Sequence, residues 1–184
     1  ISTKKAIHLA TQFNSKLHVL HISTKEEIQL FETGPIEDKK ITSEVCIPHL
    51  LFSSSDYNSL GALIKCNPSI KNDTDKAALR KALKDGTIDY VATDHSPHIL
   101  SEKENNYLNS ASGMPSVQHS FLAVLELVHD GDLEITDVPK ITSHNVAKRF
   151  EIKDRGFIKE GFWADLVLVN MKDSYKVKKE KIFY

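Results

Sequence analysis

The sequence contains only two cysteines, Cys46 and Cys66, in 184 residues. Two thiols cannot build the disulfide framework of a small secreted domain, which favours a protein that folds in a reducing cytoplasm. The chain has no uninterrupted apolar run of about eighteen residues, the length at which a membrane-spanning helix is considered. Its first residues also lack the apolar core of a signal peptide. We therefore expect a cytoplasmic protein that does not associate with a membrane.

The chain also lacks an excess of positive or negative charge. Its 24 Lys and Arg residues and 25 Asp and Glu residues give a formal net charge of -1. This balance provides no basic field for a nucleic acid, so we expect no nucleic-acid partner. The local run of lysines at 172–181 is interpreted as a solvated face. No glycine-rich phosphate-binding loop is present, which argues against a nucleotide site. The 40% hydrophobic and 27% charged residues are typical of a globular domain with a core.

Helical and extended patterns alternate along residues 1–150. Apolar residues at helical spacing follow candidate capping residues, which predicts several amphipathic helices. The predicted caps are Ser2 or Thr3, Ser23 or Thr24, and Asp73 or Thr74, with further helices at 117–128 and, in two short pieces with Ser143 capping the second, at 136–150. Strands are predicted at 17–21, 41–47 and 88–92. The alternation predicts an α/β fold in which parallel strands are joined by helical crossovers.

The last part of the chain has a different character. Residues 156–161 have the pattern of a hairpin-like turn, and the apolar run at 165–169 follows as a predicted strand. We therefore divide the chain into residues 1–150, which belong to the α/β unit, and residues 151–184, which form part of a small β-domain.

The stretch 91–98 concentrates charged and metal-capable side chains directly after a predicted buried strand. Asp94, His95 and His98 lie within five residues, and Pro97 keeps a helix from starting there. Barrels of parallel strands and helices carry their chemistry at such strand ends. The alternative is a surface turn in which Asp94 is a cap and the histidines are solvated.

Two other positions belong with this cluster if the strands are parallel, and Gly113 is singled out by the character of its own segment. His21 ends its own predicted strand, so it should lie at the same rim as Asp94. Asn67 precedes Pro68 in a loop that could reach that rim, although an Asx-turn is the competing interpretation. Gly113 lies in a polar, turn-rich segment and is the residue best suited to a close backbone approach.

Four segments together resemble the dihydroorotases of the metal-dependent amidohydrolase superfamily. They are LHVLHIST at 17–24, KCNPSIK at 65–71, DGTIDYVATDHSPH at 85–98 and GFIKEGFWADLVLVN at 156–170. The third segment is the most specific, and the fourth marks the superfamily rather than one activity. Their order matches the second half of such an enzyme.

The resemblance implies part of a (β/α)8 TIM-type barrel beside part of a small β-sandwich, with one or two zinc ions. It also implies the reversible hydrolysis of dihydroorotate to N-carbamoyl-aspartate, a step of pyrimidine biosynthesis. By position in the motifs, His21 and Asp94 match metal ligands, and Asp94 also matches the catalytic proton shuttle. Asn67, His98 and the backbone near Gly113 match substrate-binding positions.

The remaining histidines are not assigned to metal or substrate binding. His95 is interpreted as supporting or structural, and His49 is ambiguous between a structural and a functional role. The others are interpreted as surface residues or as satisfied core residues: His8, His18, His119, His129 and His144. The sequence also departs from the family pattern after Asn67 and around His49, which puts details of the substrate loop in doubt.

The other metal ligands that the resemblance implies, including a His-x-His pair, have no counterpart in this sequence. We therefore expect an incomplete portion of the enzyme, inactive by itself, whose full-length form is a homo-oligomer acting on a small molecule. Two alternatives stay open: another cyclic amidohydrolase of the allantoinase or dihydropyrimidinase type, and a non-catalytic dihydroorotase-like subunit. His98 favours dihydroorotase over the first alternative, since relatives of those types usually have another residue there.

Overall fold

A sheet of three parallel strands forms the centre of the computed structural model, which describes residues 1–174 and 176–183. The strands are β1 (Leu17–Val19), β2 (Ile41–Cys46) and β3 (Tyr90–Ala92), with β2 in the middle. Leu17 pairs with Ile41, and Glu44 pairs with Tyr90. The predicted parallel α/β arrangement is confirmed, although β1 and β3 are shorter than the sequence pattern predicts.

Helices connect and cover the strands. They are α1 (Ser2–Gln12), α2 (Lys25–Ile28), α3 (Ile47–Leu51), α4 (Tyr57–Leu60), α5 (Asp73–Asp85), α6 (Leu100–Lys103), α7 (Ser120–His129), α8 (Asp137–Pro139) and α9 (Asn145–Arg149). Short 3-10 turns lie at Ile36–Asp38, Ser54–Asp56, Gly61–Ile64 and Lys179–Lys181, and a π-helical turn, Lys140–His144, joins α8 to α9.

One of the predicted helix caps is confirmed. The Thr24 side chain accepts the Glu27 amide at 3.2 Å and begins α2. Helix α5 instead has Asn72 as its cap, because the Asn72 side chain reaches the Asp75 amide at 3.0 Å. The prediction of Asp73 or Thr74 is therefore wrong by one or two residues.

The other two predicted caps are also wrong. Helix α1 follows Ile1 without any side-chain cap, so neither Ser2 nor Thr3 serves in that role. Ser143 lies inside the π-helical turn, because the helical backbone runs on from α8 to α9 without the extended residue that a cap requires. The helix predicted at 117–128 begins three residues later, at Ser120.

The core lies between the sheet and the helices α3, α5 and α7. Its fully buried side chains include Ile22, Val45, Leu50, Leu79, Leu83, Ile88, Val124, Leu127 and Ile141. A buried ion pair closes one side of this core: Lys39 Nζ lies 2.8 Å from Asp89 Oδ1 and donates to the Gly86 carbonyl. Asp89 also accepts the Ser43 amide at 2.8 Å, so both of its carboxylate oxygens are hydrogen-bonded.

The predicted strand at 165–169 does not form. Residues 165–169 have no regular secondary structure, and Val167 and Leu168 expose their side chains. A strand needs a neighbour to accept its backbone hydrogen bonds, and no strand pairing involves residues 151–174 or 176–183. The predicted lysine face is exposed at each of its described lysines. In the described part of the chain, no helix has the length and apolar character to cross a membrane.

Candidate active site and metal centre

His21 and Asp94 meet at the carboxyl end of the sheet. Each lies two residues beyond its strand and has a positive φ, 57° for His21 and 44° for Asp94. These left-handed turns are uncommon outside glycine and direct the two side chains over the end of β2. Nε2 of His21 lies 3.6 Å from Oδ1 of Asp94. The structure therefore brings together the two residues that the sequence singles out as metal ligands.

Two residues of β2 that the sequence analysis missed approach the other nitrogen of His21. Oε1 of Glu44 and Sγ of Cys46 each lie 2.9 Å from Nδ1 of His21. His21, Glu44 and Cys46 form a group that could hold a metal ion. Burial raises the pKa of the Cys46 thiol, and the charges of Glu44 and Asp94 raise it further.

The separations between donor atoms show which side of His21 suits a metal. Zinc bonds of about 2.0–2.2 Å to nitrogen and oxygen in a tetrahedral site place neighbouring ligand atoms about 3.3–3.6 Å apart. Nε2 of His21 and Oδ1 of Asp94 have this spacing. The contacts at Nδ1 are shorter and have the length of hydrogen bonds. The donor set of Nε2 and Oδ1 therefore fits a zinc ion.

His49 supports the loop that carries Asn67. Its Nε2 donates to the Pro68 carbonyl at 2.8 Å, and the ring is buried. Burial lowers the pKa of His49, against the opposing effect of this hydrogen bond. Asn67 itself is exposed, and in the described part of the chain its side chain makes no hydrogen bond of an Asx-turn. His49 thus has a structural place, and Asn67 remains accessible.

The segment around Gly113 packs directly on the Asp94–His98 turn. A Cβ atom at position 113 would lie 2.7 Å from the Ser96 carbonyl oxygen, so only glycine permits this approach. The Ser96 amide donates to Met114, and the Lys103 ammonium group donates to the Gly113 carbonyl at 2.9 Å. The close approach predicted for Gly113 is confirmed.

His98 and His95 have different surroundings. Nδ1 of His98 lies 3.1 Å from the Glu102 carboxylate, and its Nε2 lies 3.4 Å from the Ser96 hydroxyl. His95 is hydrogen-bonded to the Val117 amide through Nδ1 at 3.2 Å. His95 therefore has the supporting contact that the sequence analysis expects of it, whereas His98 pairs with the exposed Glu102.

The chemistry open to this arrangement is that of a metal-assisted hydrolysis. A histidine and a carboxylate can hold a cation, and a carboxylate beside a cation can also take a proton from water and return it to a leaving group. The position of these groups at the carboxyl ends of parallel strands is where TIM-barrel enzymes have their active sites.

Solved structures share the fold of this chain. The chain is similar to L-hydantoinase (dihydropyrimidinase) from Arthrobacter aurescens, with a TM-score of 0.79 and 22% identity, over 86% of this chain and 36% of that one. It is also similar to a dihydroorotase from Saccharomyces cerevisiae in complex with 5-fluoroorotic acid, with a TM-score of 0.74 and 21% identity, over 83% and 43%. These likenesses show the fold alone, which is that of part of a TIM barrel.

The chain belongs to the amidohydrolase family, whose model matches residues 8–183. It is 33% identical to an allantoinase from Bacillus velezensis over 183 residues, 99% of this chain and 40% of the relative. It is also 33% identical to a dihydroorotase from Endomicrobium trichonymphae over 177 residues, 96% of this chain and 42% of the relative. The resemblance to dihydroorotases is thus confirmed, and the chain spans about two fifths of the length of these relatives.

Proposed function

We propose that the full-length protein is a zinc-dependent dihydroorotase, which interconverts dihydroorotate and N-carbamoyl-aspartate in pyrimidine biosynthesis. The observation that carries this proposal is the 3.6 Å approach of His21 Nε2 to Asp94 Oδ1 at the carboxyl end of the sheet. His98 follows Asp94 by four residues, and this proximity in sequence supports its assignment as a substrate-binding imidazole.

His21 and Asp94 would hold the zinc ion in this mechanism. A zinc ion bound there would supply Lewis-acid chemistry, lowering the pKa of water and polarising the amide carbonyl. The Asp94 carboxylate accepts the proton of the attacking water and transfers it to the leaving ring nitrogen. Its partial exposure leaves it accessible to a substrate.

Three further groups bind and orient the substrate. His98 binds the ring carboxylate through a charge-assisted hydrogen bond. Asn67, exposed on its loop, donates to the substrate, and the backbone near Gly113 contacts the ring. The packing of Gly113 on Ser96 supports this assignment, because it fixes the Gly113 segment beside the His98 turn.

A second candidate is a cyclic amidohydrolase of the allantoinase or dihydropyrimidinase type. The 33% identity to an allantoinase favours it. His98 argues for dihydroorotate, since a carboxylate on the ring gives this imidazole an ionic partner. A non-catalytic dihydroorotase-like subunit is the third candidate, and the retained His21, Asp94 and His98 argue against it.

The domain division and the assembly are part of the same proposal. Residues 1–150 form part of the barrel, and residues 151–184 form part of a small β-domain. The exposed apolar side chains at 166–168 support the second assignment, because a completed sandwich would bury them. The remaining zinc ligands lie outside this chain, and the full-length protein acts in the cytoplasm as a homo-oligomer.

A substrate panel tests the proposal. The full-length protein is assayed with dihydroorotate, allantoin and dihydrouracil after chelator treatment and again after zinc is restored. We expect dihydroorotate turnover that disappears with the metal and returns with zinc. Preference for allantoin or dihydrouracil would favour the second candidate. Absence of turnover on all three with zinc bound would favour the non-catalytic subunit.

A further inference from the structure

Glu44 connects His21 to a second histidine, the partly buried His18. Oε1 of Glu44 lies 2.9 Å from Nδ1 of His21, and Oε2 lies 3.1 Å from Nε2 of His18. The Glu44 side chain is 8% exposed and that of His18 is 10% exposed. A carboxylate removed from water in this way is costly unless hydrogen-bond donors satisfy it. Both oxygens of Glu44 have one.

The strand register holds His18 in this position. His18 on β1 pairs with Thr42 on β2, and Glu44 follows Thr42 on the same face of β2. Nδ1 of His18 lies 2.9 Å from the Thr42 hydroxyl, and its ring stacks on Tyr90 of β3 with a centroid distance of 4.8 Å. The Tyr90 hydroxyl adds a contact of 2.6 Å to Nε2. All three strands therefore fix the ring.

The acceptor character of Glu44 determines where the protons of both histidines lie. A neutral imidazole carries its hydrogen on one nitrogen and a lone pair on the other. An ionised carboxylate only accepts, so the hydrogen of His21 lies on Nδ1 and its lone pair on Nε2, the atom that faces Asp94. By the same reasoning, Nε2 of His18 carries a hydrogen toward Glu44.

We propose that Glu44 is the positioning residue that fixes the tautomer and orientation of His21, and that His18 acts on His21 by holding Glu44. The inference rests on the proposed function in one respect, the assignment of His21 as a metal ligand. Hydrogen bonds of this kind to a ligating histidine are worth about 10–100-fold in metal affinity.

Zinc affinity of the full-length protein, measured by competition with a chromogenic chelator, tests the role of Glu44. We expect Glu44→Leu, which removes the acceptor, to weaken zinc binding about 10–100-fold. Glu44→Gln keeps an amide oxygen that still accepts, so its loss is smaller but measurable. Asp75→Asn is the matched control, because Asp75 is also a buried carboxylate, and among the described residues its side chain accepts a hydrogen bond from the Lys25 amide and not from a histidine. It should leave zinc affinity unchanged.

A double-mutant cycle tests the role of His18. His18→Phe keeps a ring that can stack on Tyr90 but removes both nitrogens. If His18 acts through Glu44, His18→Phe weakens zinc binding in the wild-type background and causes no further loss in Glu44→Leu. An equal loss in both backgrounds would overturn the role of His18.

Two comparisons keep the outcomes distinct. If Glu44→Leu folds and keeps wild-type zinc affinity, the inference is overturned. If Glu44→Leu does not fold, wild-type zinc affinity in Glu44→Gln overturns the inference. Thermal unfolding of the metal-free variants identifies those that fold. His21→Ala is the reference. If this variant retains zinc, the metal site of the proposed function is contradicted. If His21→Ala loses zinc but the Glu44 variants keep wild-type zinc affinity, the inference alone is contradicted.

Discussion

Nε2 of His21 and Oδ1 of Asp94 lie 3.6 Å apart although the two residues follow opposite edge strands of the sheet. Their left-handed backbone conformations direct both side chains inward over the end of β2, the strand between them. Because β2 also carries Glu44 and Cys46, the environment of His21 comes from all three strands. The site therefore depends on strand order as much as on the identity of its residues.

Asp94→Asn should lower the turnover of the full-length protein by several orders of magnitude. General acid–base catalysis contributes about 10²–10⁴ on its own, and an amide cannot shuttle a proton as a carboxylate does. Steady-state turnover and metal content are measured together. A variant that keeps both its metal and wild-type turnover would contradict the proton-shuttle role of Asp94.

His98→Ala should mainly affect substrates with a carboxylate on the ring. We expect kcat/KM for dihydroorotate to fall much more than kcat/KM for dihydrouracil, which lacks that group. His129→Ala, at the exposed end of α7, is the control and should change neither value. Equal losses for both substrates in His98→Ala would remove His98 from the carboxylate-binding role.

The 184-residue chain alone should neither hydrolyse dihydroorotate nor retain stoichiometric zinc. Catalytic zinc sites usually have three protein ligands, whereas His21 and Asp94 are the two assigned in the described part of the chain. The outer edges of β1 and β3 are open in the described sheet, so we also expect self-association. Bound zinc after dialysis, turnover and molecular mass in solution are the measurements.

Stoichiometric zinc with steady turnover would contradict this division of the site. The group of His21, Glu44 and Cys46 would then be the alternative metal centre, with His21 binding the ion through Nδ1 in place of Nε2.

His49 should make the free energy of unfolding depend on pH. Burial lowers its pKa in the folded state, so protons bind the unfolded chain more readily. The stabilisation is fully present above the unfolded pKa of about 6.5 and is lost as the pH falls through the lowered folded value. Chemical denaturation between about pH 5 and 7 should show a shallower pH slope for His49→Gln than for the wild type. Identical slopes would contradict this effect.

The positions of β1, β2 and β3 and of most helices were predictable because their signals are local. Apolar periodicity and the polar residues that interrupt it lie within a few positions of each other in sequence. The same local reading placed His21 and Asp94 at strand ends. Helix caps were less predictable: Asn72 and Asp73 are adjacent and both suitable, and backbone geometry decides between them.

The strand predicted at 165–169 shows the limit of such signals. Its apolar pattern suits a strand, but a strand forms only where a neighbour accepts its hydrogen bonds, and no neighbour is present among the described residues. A pattern within one segment contains no information about its partner.

The sequence by itself determined the parallel α/β class, the rim position of His21 and Asp94 and the close approach at Gly113, since each follows from neighbouring residues. Only the tertiary structure decided that Glu44 lies between His18 and His21, and that His49 holds the loop of Asn67. The contacts of Glu44 depend on how β1 and β2 are aligned, and the contact of His49 depends on how α3 packs against the loop. Register and side-chain direction across strands arise from packing of the whole sheet, and no single segment encodes them.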